Sequence, residues 1–221
     1  MFKKLKKWAE SIQAMQPQFD PSIFNDPIAS QTEWGPLKGG GSNFKTHILK
    51  DEGPMKMAFR ATTGMILFSA VFFCVGAGLL IGFGGYKFYT QAPFEWMDLF
   101  LGLFGLVFAS VGAFLYFSST QPIIFDKGHG YFYKGRKNTD RNSDKPKVKH
   151  LEKLENIHAL QLIEEYNSSS DSSYYSYEIN LILKDAKRIN VIDHGNLFQV
   201  REDANTLAAF LKVPVWDAIT R

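Results

Sequence analysis

Ala-Thr-Thr-Gly-Met-Ile-Leu-Phe-Ser-Ala-Val-Phe-Phe-Cys-Val-Gly-Ala-Gly-Leu-Leu-Ile-Gly-Phe-Gly-Gly-Tyr, residues 61–86, holds no charged side chain over 26 positions. Residues 99–125 are equally silent over 27. In a chain of 221 residues that is 21% charged, two such gaps mean that charge is segregated, and the whole-chain mean hydropathy of −0.15 hides it. The apolar heart of the first gap, 65–83, matches the roughly 20 residues a helix needs to cross about 30 Å of hydrocarbon. The second, 99–117, is of similar length. No water is available at that depth to satisfy the backbone, so a helix is the form expected of each. Buried helices of a soluble core usually keep one wet face, and neither stretch has one. The expectation is a transmembrane helical hairpin over 61–118, with spans at about 64–85 and 99–117.

Lys plus Arg number 9 before the first span, 1 in the twelve-residue link 87–98 and 15 after the second. Positive charge stays on the cytoplasmic side, which predicts both termini cytoplasmic and the link outside. Tyr86, Phe88, Tyr89, Phe94 and Trp96 border the link, rings suited to the headgroup level. The first apolar stretch begins too far from the N-terminus for a cleaved signal peptide, so the spans are expected to remain in the membrane. Four-residue repeats of small side chains, Ala70, Cys74, Gly78 and Gly82 in one span and Gly105, Ala109 and Ala113 in the other, are candidate helix-packing faces. Neither span carries an Asp, Glu, Lys, Arg or His, which argues against a pump or ion pathway built from this chain alone.

Residues 1–15 alternate at helical period. Phe2, Leu5, Trp8, Ala9, Ile12 and Met15 fall on one side, Lys3, Lys4, Lys6 and Lys7 on the other, as in a basic amphipathic helix lying in the interface. Residues 16–41, broken by Pro17, Pro21, Pro27, Pro36 and three glycines, read as an extended tether. A β-hairpin is expected over 42–60, turning at Asp51-Glu52-Gly53-Pro54.

Residues 120–221 differ in composition and read as a cytoplasmic α+β domain. Strands at 123–126 and 131–134 flank a Lys-Gly-His-Gly turn, and others are expected at 158–166, 174–183 and 187–192. Tyr177, Ile179, Leu181 and Leu183 alternate with Glu178 and Asn180, which predicts one buried face. Val200, Ala204, Leu207, Ala208 and Leu211 switch to helical period, with Asn196 and Gln199 placed as a capping box and Pro214 as a stop. Val213, Val215 and Trp216 then fold back on the sheet.

The phrases Phe-Asp-Lys-Gly-His-Gly-Tyr-Phe-Tyr-Lys-Gly at 125–135 and Leu-Phe-Gln-Val-Arg-Glu-Asp-Ala-Asn-Thr-Leu-Ala-Ala-Phe-Leu at 197–211 give the last hundred or so residues a resemblance. This part is similar to bacterial integral membrane proteins with a C-terminal pleckstrin-homology-like domain. The resemblance implies an antiparallel sheet closed by one C-terminal helix, a binding or scaffolding role and no catalytic residues. Such domains usually carry seven strands, and the 42–60 hairpin could supply a missing pair.

The residue patterns point away from catalysis. His47, His129, His150, His158 and His194 lack metal-ligand spacing, a lone Cys74 excludes a zinc set or a disulfide, and no cofactor motif occurs. Glu164-Glu165 and Asp193-His194 are neighbours on strands that face opposite ways, and read as surface charge. The candidate binding site is basic: Lys134, Arg136, Lys137, Arg141, Lys145, Lys147 and Lys149 sit opposite only Asp140 and Asp144. An anionic leaflet would attract such a loop. No aromatic residue is interleaved over 136–149, which disfavours nucleic acid. The expected function is a membrane-anchored binding or scaffolding protein at the cytoplasmic face of the inner membrane, with lipids, a membrane protein or a second copy as partner. The alternatives are an accessory or immunity-type subunit that binds an intramembrane partner, and a tethered enzyme with an unrecognised site.

Overall fold

A computed structural model describes residues 19–37, 39–41, 43–136, 148, 150–168 and 173–220. The basic segment 1–15 with Lys3, Lys4, Lys6 and Lys7, and the loop cations Lys137, Arg141, Lys145, Lys147 and Lys149, lie outside the described residues.

Two sheets face each other. The first joins β1 (His47–Asp51), β2 (Lys56–Ala61), β3 (Ile123–Asp126), β4 (Tyr131–Lys134) and β5 (His150–Lys153) in sequence order, every pair antiparallel. The second joins β6 (Ile157–Ser168), β7 (Ser173–Leu183), β8 (Arg188–His194) and β9 (Val215–Asp217) in the order β8-β7-β6-β9. It is antiparallel except at β9, which pairs parallel to β6 with Trp216 opposite Gln161. Met57, Phe59, Phe125 and Phe132 from the first sheet meet Leu160, Leu162, Ile179 and Leu181 from the second in one apolar cluster. The C-terminal helix (Leu197–Leu211) adds Val200, Ala204 and Leu207 to it. Its N-cap is Asn196, whose side chain accepts from Gln199 N at 3.0 Å, while the Gln199 amide turns to Asp203 at 2.9 Å. The cap is therefore one-sided, and the reciprocal half of the expected box does not form.

The hairpin expected over 42–60 is formed by β1 and β2 and belongs to this sandwich: Lys56–Phe59 of β2 pair with Asp126–Ile123 of β3. The domain read over 120–221 therefore takes in this hairpin, which supplies two further strands to its sheet. Without β2, the backbone of β3 would lose the partner along one edge, which is unfavourable for a buried strand.

Between the paired strands β2 and β3 the chain makes its helical excursion. Helix α2 follows α1 (Pro27–Gln31), runs over Thr63–Thr90 and includes one π turn, Leu79–Phe83; α3 spans Trp96–Ser119. The C-terminal helix is α4. Both long helices are apolar and long enough to cross a membrane, and about 11% of the apolar stretch of each is buried within the protein. They exceed the expected limits because their ends are capped. Gln91 closes α2 in the left-handed region, and Glu95 with Asp98 forms a capping box on α3. Lys87 reaches across to Asp98 at 3.1 Å and to the Pro93 carbonyl at 3.0 Å, clamping the short link.

The packing face of α2 is not the expected stripe. Met65, Ser69 and Gly76 are buried, Gly76 against the backbone of Gly105 and Ala109 on α3, whereas Ala70, Cys74, Gly78 and Gly82 are exposed. A strict four-residue repeat turns about 40° per step and leaves the interface, while a seven-residue step such as Ser69 to Gly76 stays on it. On α3, Gly105 and Gly112 are buried, with Ala109 and Ala113 half-buried beside them.

The 16–41 segment is also corrected. Its described part is a strap with two capped turns. Asp20 caps Pro21–Phe24 through Ser22 N at 2.9 Å, and Asp26 caps α1 through Ile28 N at 2.8 Å, each followed by Pro at the first helical position. Phe24, Ala29 and Trp34 pack with Trp216 on the outer face of the second sheet, the two indoles 6.0 Å apart.

Candidate functional site

The junction between sandwich and hairpin gathers a collar of polar groups. Thr62 is the single residue between β2 and α2. Its N–H donates to Thr46 O at 2.8 Å, its hydroxyl donates to Lys45 O at 3.2 Å, and the same oxygen accepts from Met65 N at 3.2 Å to cap the helix. On the return, the Thr120 hydroxyl bonds to the Tyr116 carbonyl, and His47 Nε2 lies 2.9 Å from Gln121 O. A carbonyl only accepts, so Nε2 carries the proton and Nδ1 accepts from Thr46 Oγ1 at 2.9 Å. Burial is the main reason that the His47 pKa falls below its ordinary value, which favours this neutral ring. Arg136 seals the collar: its guanidinium lies 4.6 Å from the Tyr116 ring centre and bonds to Thr120 Oγ1 at 2.5 Å.

Beside the collar, Phe44, Lys45, Thr62, Gly64, Met65 and Phe68 line a cavity of about 310 Å3. The Lys45 ammonium has no hydrogen bond or ion pair among the described residues. The chain reaches this corner by crossing Gly195, where a Cβ would stand 2.6 Å from the Asn43 carbonyl oxygen. Any larger residue there would push the strap away.

A second polar concentration lies under the strap. Alternation along β7 places Ser176, Glu178 and Asn180 on the outer face, yet all three are buried. The expected single buried face is thus corrected to two, because strap backbone satisfies the polar one. Leu37 N donates to Glu178 at 2.9 Å, Gly40 N and Gly41 N each donate to Glu165 at 3.0 Å, and Gln161 donates to Glu33 O at 2.9 Å. Arg188 binds Gly35 O at 2.6 Å and the Glu33 carboxylate at 3.1 Å. Glu165 and Glu178 hold a backbone in place, an arrangement that fixes the strap and leaves these carboxylates occupied.

Of the expected cations within the described residues, Arg136 stands at the hairpin base, while Lys134 is half-buried and donates to the Val191 carbonyl at 3.0 Å. Lys134 is therefore a strut of the sandwich. Lys45 escaped sequence reasoning because it stands alone in a stretch of Asn, Phe and Thr, with no run of charge to mark it.

No family model, curated protein or solved structure matches this chain. Among the described residues, no three His, Cys, Asp or Glu side chains gather as metal ligands.

The reading of Asp193-His194 as surface charge is corrected. His194 is 1% exposed at the end of β8, its Nδ1 accepts from Asn196 N at 3.2 Å, and its Nε2 has no partner among the described residues. Burial, helped by the charge of Lys45, pulls its pKa down to about 4. Asp203, 4% exposed, moves the other way, burial raising its pKa. For His194 the unfolded chain, with an ordinary value near 6.5, binds the proton more readily than the fold. The stability that the neutral ring contributes is full above pH 6.5 and is lost as pH falls toward about 4. Asp203 has the opposite slope, since a raised carboxyl favours the fold at low pH. The expected result is that His194→Gln flattens the decline of the thermal midpoint between pH 6.5 and 4. Unfolding curves of both proteins across that range make the comparison. A decline of equal steepness in the variant would assign it to other groups.

Proposed function

We propose that the chain is a membrane-anchored binding or scaffolding protein whose hairpin spans the inner membrane and whose pleckstrin-homology-like sandwich is held at the cytoplasmic face, without catalysis. The observation that carries this reading is the insertion of an apolar hairpin between two hydrogen-bonded strands. Leu67, Phe73, Val107 and Phe114 on its outward surface are all exposed. An apolar surface of that extent is unfavourable in water and ordinary in hydrocarbon. Because Phe59 and Ile123 are paired, the two helices leave the sheet side by side, and the sandwich is tied to the bilayer surface at two adjacent points. The distribution of Lys and Arg, 9 and 15 outside the hairpin against 1 in its link, supports both termini on the cytoplasmic side.

The test is cysteine accessibility in intact cells, in a background where Cys74→Ala removes the native thiol. Gln91→Cys, in the link, is expected to react with an impermeant maleimide, and Lys187→Cys, in the turn before β8, only after lysis. Reaction of Lys187→Cys in sealed cells would reverse the topology, and release of the chain by alkaline carbonate would remove the anchor.

A further inference from the structure

We propose that the cavity at the collar binds one anionic phospholipid, with its phosphate on Lys45 and the first part of an acyl chain against Phe44, Met65 and Phe68. The inference rests on the hairpin spanning a bilayer.

Position is the first argument. Arg60 is the last charged residue before the silent stretch, and the cavity is lined by the residues that immediately follow, Thr62, Gly64, Met65 and Phe68. It therefore opens at the level where the chain passes from charged to apolar, which is the level of lipid phosphates. Hydrogen bonds from Thr62 to the Thr46 and Lys45 carbonyls fix the Lys45 backbone against the start of α2.

Charge is the second. Other cations toward the junction are engaged: Arg136 on Thr120, Lys134 on Val191, and Arg60 on Glu52 at 2.7 Å. Lys45 has no such partner among the described residues, and no carboxylate lines the cavity. Asp203, the acid on which Lys45 acts electrostatically, is buried outside the cavity lining, and burial raises its pKa. An unpaired ammonium at a partly apolar wall has an unmet need for an anion, and a lipid phosphate attached to a hydrocarbon chain satisfies both halves of that wall.

Shape is the third. Phe44 is 61% and Phe68 51% exposed, and both line the cavity with Lys45, which gives an acyl chain apolar rings to lie against beside the ammonium. A free phosphate would leave these rings uncovered.

The experiment is native mass spectrometry of the full chain in mild detergent, titrated with phosphatidylglycerol or with phosphatidylcholine of the same acyl chains. The expected result is one retained phosphatidylglycerol at concentrations where phosphatidylcholine does not add. Lys45→Glu should weaken that retention by about tenfold or more, since each cation near an anionic headgroup contributes appreciably. Lys50→Glu, the same charge change on exposed β1, should leave it unaltered. Phe68→Ser keeps the charge and should weaken retention as well. Thermal melts of each variant report its folding. Equal retention of both lipids, or full retention by folded Lys45→Glu, would overturn the proposal, as would displacement of the lipid by millimolar inorganic phosphate. Failure of membrane anchoring appears separately, as release of the chain from carbonate-washed membranes. A chain that stays in the membrane without preferring phosphatidylglycerol loses only this site.

Discussion

Replacing Leu207 by Asp is expected to unfold the sandwich while leaving the helical hairpin in place. Leu207 is fully buried on α4, in the cluster that also contains Phe59, Phe125, Leu160 and Ile179. Removal of a buried leucine costs about 2–5 kcal/mol through lost transfer energy and the cavity left behind. The aspartate adds an unpaired charge in an apolar setting, at several kcal/mol more. Together these rival the roughly 5–15 kcal/mol that hold a whole domain. Asn205→Asp puts the same charge two residues away on the exposed side of the helix and is expected to be silent. Trypsin distinguishes the outcomes: Arg201 within α4 and Lys187 before β8 become rapid cleavage sites only in a Leu207→Asp protein that has lost the sandwich. A full-length, protease-resistant Leu207→Asp chain would mean that α4 does not seal the two sheets.

Much of this sandwich is legible in the residues. The β3–β4 and β6–β7 hairpins follow from alternation interrupted by Gly- and Ser-rich turns, and α4 from a change of period at an Asn cap. What escapes is what depends on contact across long separations. β5 lies just beyond a polar stretch and is defined by pairing Tyr131 through Lys134 with residues 150–153, not by its own pattern. β9 is only three residues long and owes its direction to the helix that precedes it. The strap is hidden because prolines and glycines read as looseness, although Asp-Pro at 20–21 and at 26–27 is itself a helix-start signal.

The candidate site is less legible, and for a physical reason. A run of cations announces itself in a sequence, yet Lys134 in that run serves the sandwich and Lys45 outside it faces a cavity. Whether a cation is available is decided by which carbonyls and carboxylates the fold brings to it, and that is a tertiary property. His194 illustrates the same point. Its neighbour Asp193 suggests a solvated pair, but strand alternation sends the imidazole inward, where it remains short of a partner for Nε2 among the described residues.

The hairpin offers the sharper test of how close packing is set by single atoms. Gly112→Leu is expected to separate α2 from α3. A Cβ at Gly112 would lie 2.3 Å from the Phe73 backbone nitrogen and 2.7 Å from its Cα, distances that real Cβ atoms do not adopt. At Gly76 the obstacle is again backbone, Ala109 N at 2.2 Å and Gly105 O at 2.5 Å. A flexible side chain could turn aside, but backbone cannot move without shifting a helix, so the contact is lost over several turns at once. Helix association inside a bilayer depends on dispersion between close surfaces and has no hydrophobic drive to compensate. Gly76→Leu should behave in the same way. Gly78 and Gly82, which meet nothing within 4 Å, are the internal controls: Gly78→Ala should leave the hairpin as it was and slightly favour the helix. The measurement is cross-linking in membranes between cysteines placed at Phe72 and Phe108, whose rings stack across the two helices with centres 5.5 Å apart, with Cys74→Ala throughout and the position-112 and position-78 changes added in turn. Loss of the cross-link with Gly112→Leu and its retention with Gly78→Ala would place the interface on the seven-residue face. The reverse pattern would return it to the four-residue stripe that includes Cys74.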